Sequence, residues 1–162
     1  SAEMEYGNAL RVDEENIRAN FGLGLTYLER GETGKADNIF QRLIKMEATF
    51  EAEHKHLFND FGINLRKNEM YDQAVEYYAK ALELSPADEN LHYNMARACF
   101  AKADIEKTIE HLRTALSLNN NLEIAHKFLE YLKKNKLLPQ TPSGAKPKVS
   151  NQHACASAPE ET

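Results

Sequence analysis

Residues 61–86 read FGINLRKNEMYDQAVEYYAKALELSP. Apolar and small residues recur there at helical spacing. Phe61, Gly62 and Leu65 form a first cluster, and Ala74, Tyr78 and Ala81 a second, with Val75, Ala79 and Leu82 on the same period. Asn68-Glu69 separates the clusters and Pro86 closes the stretch. The pattern predicts two short helices joined by a tight turn.

The same arrangement lies on either side. Leu23-Gly24-x-x-Tyr27 and Met95-Ala96-x-x-Cys99 align with Phe61-Gly62-x-x-Leu65. Ala36…Phe40…Leu43 and Thr108…Leu112…Ala115 align with Ala74…Tyr78…Ala81. Gly31 and Gly34 punctuate the first pair, and Lys102-Ala103-Asp104 the third. The step from Gly24 to Gly62 is four residues longer than the step from Gly62 to Ala96. Self-similarity at a fixed period is the signature of a repeat array, and here one junction carries those four extra residues.

On these residues the chain resembles the tetratricopeptide repeat family. The second unit fits best, with Gly62, Ala74, Tyr78, Ala81 and Pro86 in place. The resemblance implies an all-α fold, a right-handed superhelical array of antiparallel helix hairpins. It implies full repeats at 17–50, 55–88 and 89–122 and a capping helix at 123–135. Counting back places Ala2, Tyr6 and Ala9 in the second helix of a half repeat at 2–16. Its first helix is missing, so a piece of a longer protein with a fraying first segment is expected. Three departures mark the array. Asn20 stands where a large apolar residue is usual, Thr108 replaces an alanine, and Asn120 replaces a proline. A buried Thr108 can bond to the carbonyl four residues earlier, but the third repeat is expected to be the less regular one. The four extra residues fall in Ala48–His54, without Gly or Pro. Since about 3.6 residues make one turn, they are expected to lengthen a neighbouring helix by that much.

Composition agrees with a globular core plus a tail. Of 162 residues, 42% are hydrophobic and 28% charged, and no apolar run reaches the ~20 residues of a membrane-spanning helix. Four of the five prolines lie after residue 138, and residues 136–162 contain no aromatic residue. That segment is expected to be a disordered tail, leaving 1–135 as the domain. Cys99 and Cys155 are too few for a disulfide framework and lack metal-ligand spacing, so the expected compartment is the reducing cytoplasm.

The resemblance also implies where a partner would sit: on the concave face formed by the first helix of each repeat. Repeat one contributes Arg18, Phe21, Leu25, Leu28 and Glu29. Repeat two contributes His56, Asn59, Ile63, Arg66 and Lys67. Repeat three contributes Asn90, Tyr93, Arg97, Phe100 and Ala101, and the cap Ile124, Lys127, Tyr131 and Lys134. The groove runs from an apolar end to a basic, aromatic end, within a chain of net charge -5. Phe21, Asn59, Ile63, Arg66, Tyr93, Arg97, Phe100, Lys127 and Tyr131 are the candidate partner-binding residues. Arginines there can hold carboxylates bidentately, and the aromatics can stack. The expected partner is a protein or peptide bearing acidic or aromatic groups. The two-carboxylate clamp that grips chaperone tails is not expected, because Asn94 alone matches it. The negative net charge argues against nucleic acid.

Chemistry-bearing motifs are sparse. His54 and Glu51 are three apart and share a helix face, a weak metal pair without the His-Glu-x-x-His pattern; a solvated junction is the favoured reading. His153-Ala154-Cys155 is a weak tail site for adventitious metal. Gly22 and Gly24 read as helix-packing residues, and no GxxxxGK[ST] loop occurs. No motif brings Ser, His and Asp into one cleft. The expectation is a non-catalytic binding module without a cofactor. The alternative is a scaffold packing on another copy or on another domain of its own protein.

Overall fold

The computed structural model describes residues 13–139, which form seven α-helices. They are α1 (Glu14–Glu29), α2 (Thr33–Ile44), α3 (Lys55–Lys67), α4 (Tyr71–Leu84), α5 (Glu89–Ala101), α6 (Ile105–Leu118) and α7 (Glu123–Lys134). No strand occurs among the described residues. Ala2–Val12, the helix expected in the half repeat at 2–16, and the tail beyond Pro139 lie outside them.

Helices α1/α2, α3/α4 and α5/α6 pair as hairpins, and α7 follows as the expected cap. Each first helix ends the same way. Gly31, Glu69, Ala103 and Lys136 adopt φ of 76, 62, 67 and 56°. That left-handed residue reverses the chain and returns an amide to the preceding turn, as in Met70 N–H to Leu65 C=O at 2.9 Å. Only the first of the four is a glycine, the residue that adopts this conformation without steric cost. The second helices begin two residues after it. Asp88 and Asp104 cap α5 and α6 by accepting their first amides.

Small residues set the closeness of each hairpin. A Cβ on Gly24 would lie 2.5 Å from the Phe40 ring, and one on Gly62 2.6 Å from the Tyr78 ring. In repeat three the equivalent residues are Ala96 and Leu112. The smaller partner leaves room for the extra methyl, so both combinations reach the same packing. Gly22, by contrast, is exposed, and a methyl there would meet nothing, so it is not a packing residue.

Three expectations are corrected. The four extra residues lengthen no helix: α2 and α3 have 12 and 13 residues, against 14 and 13 in α4 and α5. The chain from Lys45 to Glu51 is non-helical, and a single 3₁₀ turn follows at Ala52–His54. Phe50 and His54 supply the reason. Phe50 packs edge-on against Phe58 at 4.8 Å, while Glu51 and His54 cap each other reciprocally. These contacts start a new helix rather than continue an old one. Secondly, repeat three is not the irregular one. Its helices match those of repeat two in length, and the steps from Lys55 to Glu89 and from Tyr71 to Ile105 are equal. Thr108 is fully buried and donates its hydroxyl to Asp104 C=O at 2.7 Å, the bond expected of it. Repeat one is the departure, with α1 at 16 residues beginning before position 17. Asn20 on it is exposed and donates back to Asn16 C=O at 2.9 Å. Thirdly, packing continues past the boundary drawn at 135. Leu137 is buried against the α5–α7 core, and its amide returns to Leu132 C=O at 2.9 Å.

Candidate functional site: the ladder of first helices

The first helices α1, α3, α5 and α7 touch in sequence and form one face. Phe21 stacks on Phe61 at 3.9 Å, and Arg18 reaches Asp60 at 3.6 Å. Asn94 Nδ2 donates to Asn59 Oδ1 at 2.9 Å. Phe100 meets Phe128 at 5.3 Å and Tyr131 at 6.0 Å.

Burial divides the candidate residues. Phe21, Tyr93 and Phe100 are 2, 1 and 1% exposed, so they hold the helices together and are not free to stack on a ligand. That corrects their placement in an open groove. The cause is the closeness of successive first helices, which covers one flank of each. Ile63 is half-buried against the repeat-one and repeat-two core, and Tyr131 against Phe128 and Phe100. Asn59 is half-buried with its carbonyl engaged by Asn94. Asn94, the residue compatible with a carboxylate clamp, is 7% exposed and spent on that bond. Lys127 is exposed and pairs with Glu123 at 3.1 Å within its own helix. A solvated pair of this kind holds little energy.

Arg66 and Arg97 remain. Both are half-buried, and each has a shielded Nε with no hydrogen-bond partner. The repeat register relates them. Asn59 and Asn94 stand 35 residues apart, one more than a period, as do Tyr93 and Phe128, and both pairs are in contact. Phe100 and Tyr131 are four positions closer in sequence and also in contact. Arg66 and Arg97 have the same separation as Phe100 and Tyr131 and lie one step up the ladder. The corresponding residues of the first step, allowing for the insertion, are Leu28 and Ile63. The face therefore steps from an apolar pair to a cationic pair to an aromatic pair. Register thus assigns two guanidinium groups to one step, and the shielded Nε–H of each lacks an acceptor. An anion would relieve both.

Other candidates have structural roles. His54 Nδ1 accepts the Glu51 amide at 2.8 Å, which leaves the proton on Nε2, 3.6 Å from Glu14 Oε1. It is 8% exposed and serves as a cap, so it is neither a solvated junction residue nor a metal ligand with Glu51. No group of three metal-binding side chains occurs among the described residues. Cys99 is buried in the core, and burial pushes its thiol up to about 11. His92 donates Nε2–H to Pro86 C=O at 2.9 Å, so its Nδ1 accepts from His111 Nδ1–H at 3.1 Å. Burial, then His92, holds His111 below the usual imidazole range. No linear motif announces this pair, because its members sit on different helices, α5 and α6.

Two family models described as tetratricopeptide repeat match the chain, over residues 17–50 and 65–129. The chain belongs to the tetratricopeptide repeat family. It is 28% identical over 110 residues to the peroxisomal targeting signal receptor of Candida glabrata, covering 68% of this chain and 18% of that protein. It is 24% identical over 111 residues to anaphase-promoting complex subunit 3 of Schizosaccharomyces pombe, covering 68% and 16%. The chain thus spans under a fifth of the length of these relatives. Among solved structures, PcrH from Pseudomonas aeruginosa aligns with a TM-score of 0.43 at 19% identity, over 80% of this chain and 94% of that one. In this tetratricopeptide array no described helix is long and apolar enough to cross a membrane.

Proposed function

We infer that the array is a non-catalytic protein-interaction module that takes a partner segment on its concave face, with a carboxylate held between Arg66 and Arg97. The observation that carries this reading is the pair of shielded, unpartnered Nε atoms in one step of the ladder. Arginine forks pair with carboxylates through two parallel hydrogen bonds. Ile63 on one side and Tyr131 on the other, both half-buried, offer apolar contact to residues flanking that carboxylate. Asn59 and Lys127 edge the site. The partner is a peptide with an acidic residue next to an aromatic or aliphatic one. The relatives' names, a targeting-signal receptor and a complex subunit, are in keeping with a binding role. A reducing, cytoplasmic setting suits a chain whose described cysteine is a free thiol.

A scaffold role is the second reading. It rests on Leu23 and Leu118, 44 and 42% exposed, the large apolar side chains left open among the described residues. The two are separated by capture of partners from the source lysate with the native chain, Arg97→Glu and the convex-face control Lys80→Glu, alongside light scattering. Loss of capture in Arg97→Glu alone, from a monomer, supports the groove. Self-association with equal capture by all three supports the scaffold.

A further inference from the structure

The opposite face carries a second feature. Helices α2 and α4 and the turn before α4 enclose a notch of about 350 Å³. Its walls hold Asp37, Glu69, Asp72 and Glu76, and its lining includes Gln41 and Gln73. Gln73 is 7% exposed. Its amide nitrogen donates to Asp37, while its carbonyl oxygen is shielded and has no donor. Gln41 donates to Glu76 at 3.3 Å, and Lys102 meets Asp72 at 2.8 Å from the rim. Glu69 has no ion-pair partner among the described residues.

The general architecture does not explain this polar lining. In the next repeat, the register puts Val75 and Ala79 of α4 where Asp37 and Gln41 stand on α2. It puts Ala103 and Lys107 where Glu69 and Gln73 stand, and keeps acids, Glu106 and Glu110, only in place of Asp72 and Glu76. The array forms its next repeat there with an apolar wall opposite those acids. Helix-dipole stabilisation accounts for Asp72, in the first turn of α4. It does not account for Asp37, which lies beyond the first turn of α2, or for the shielded amide of Gln73.

We propose that this notch binds an arginine side chain presented by a partner polypeptide, independently of the concave groove. A guanidinium supplies five donors in a plane. Two can bridge the carboxylates of the opposed walls while a third reaches the orphaned Gln73 oxygen. Half-buried Met70 and Tyr71 line the notch and offer an apolar wall for the aliphatic stem, and the ring of Tyr71 a face for the cation. A bare metal ion suits the place less well, since no three metal-binding side chains among the described residues converge and Gln73 already spends one side of its amide on Asp37.

The test is a two-dimensional amide NMR titration of the whole chain with a blocked Gly-Arg-Gly peptide, its Gly-Lys-Gly counterpart and calcium chloride. Saturable shifts are expected at the Gln73 side-chain amide and the backbone of residues 69–76. The arginine peptide should bind more tightly than the lysine peptide. The Asp37→Asn/Glu76→Gln double variant, altered at two exposed positions, should bind at least about tenfold more weakly with an unchanged melting temperature. No saturable shift, or equal binding by the double variant, overturns the proposal. So does calcium binding that displaces the peptide, which would make the notch a cation site.

Discussion

Two adjacent steps of the same ladder are filled by opposite chemistry. Phe100 and Tyr131 join α5 to α7 through an edge-to-face contact at 6.0 Å, with Phe128 beneath them. Arg66 and Arg97 occupy the same register between α3 and α5. The aromatic step is complete by itself, because its apolar surfaces cover one another. The arginine step is incomplete, because it leaves shielded donors unused. On the function proposed for Arg66 and Arg97, a repeat protein builds one step for cohesion and the next for recognition without changing its backbone. Stability and binding should separate when the two steps are mutated.

The largest effect should come from the cohesive step. Phe100→Ala removes a buried ring and should destabilise the array by about 3–5 kcal/mol, read as a drop in the urea midpoint. A loss below about 1 kcal/mol would deny the step its structural role. Next comes the interlock inside the hairpins. Gly62→Ala drives a methyl toward the Tyr78 ring and should cost about 1–3 kcal/mol, whereas Ala96→Gly beside Leu112 should cost about 0.5–1 kcal/mol. Equal costs in chemical denaturation would break the matching of residue size within each repeat.

A smaller effect concerns pH. The folded-state imidazole of His111 is held below its ordinary value of 6.5, chiefly by burial and then by His92. Neutral His111 thus favours the folded state. Its contribution is complete above 6.5 and is lost as pH falls below that value toward the lowered folded one. His111→Gln should flatten the fall in melting temperature over that range. An undiminished fall would place the proton uptake elsewhere. The smallest expected change is at a turn. Ala103→Gly relieves a left-handed φ of 67° and should raise stability by up to about 1 kcal/mol, while Gly31→Ala should lower it.

The periodic residues make the hairpins, the turns between their helices and the hydroxyl bond of Thr108 legible in the sequence, since each is a local consequence of spacing or residue size. Propensity alone favours helix lengthening across Ala48–His54, but the tertiary contact of Phe50 with Phe58 and the His54 cap decide otherwise. The candidate groove is legible in register but not in exposure. Register gives the face on which Tyr93 lies. Only the distance between neighbouring helices decides that its ring is buried. The acidic notch draws on two separate helices, α2 and α4, and has no linear signature.

Whether Arg66 and Arg97 form a recognition step is tested most directly by selecting peptides from a random displayed library on the native chain. The strongest is then titrated against Arg66→Met, Arg97→Met and the double variant. Carboxylate-bearing peptides with a neighbouring aromatic or aliphatic residue are expected. Each single variant should lose roughly 2 kcal/mol or more of binding, the double variant less than the sum, and none should fall in melting temperature. Selected peptides without carboxylates, or affinity unchanged in all three variants, would contradict the arginine step as the site of recognition.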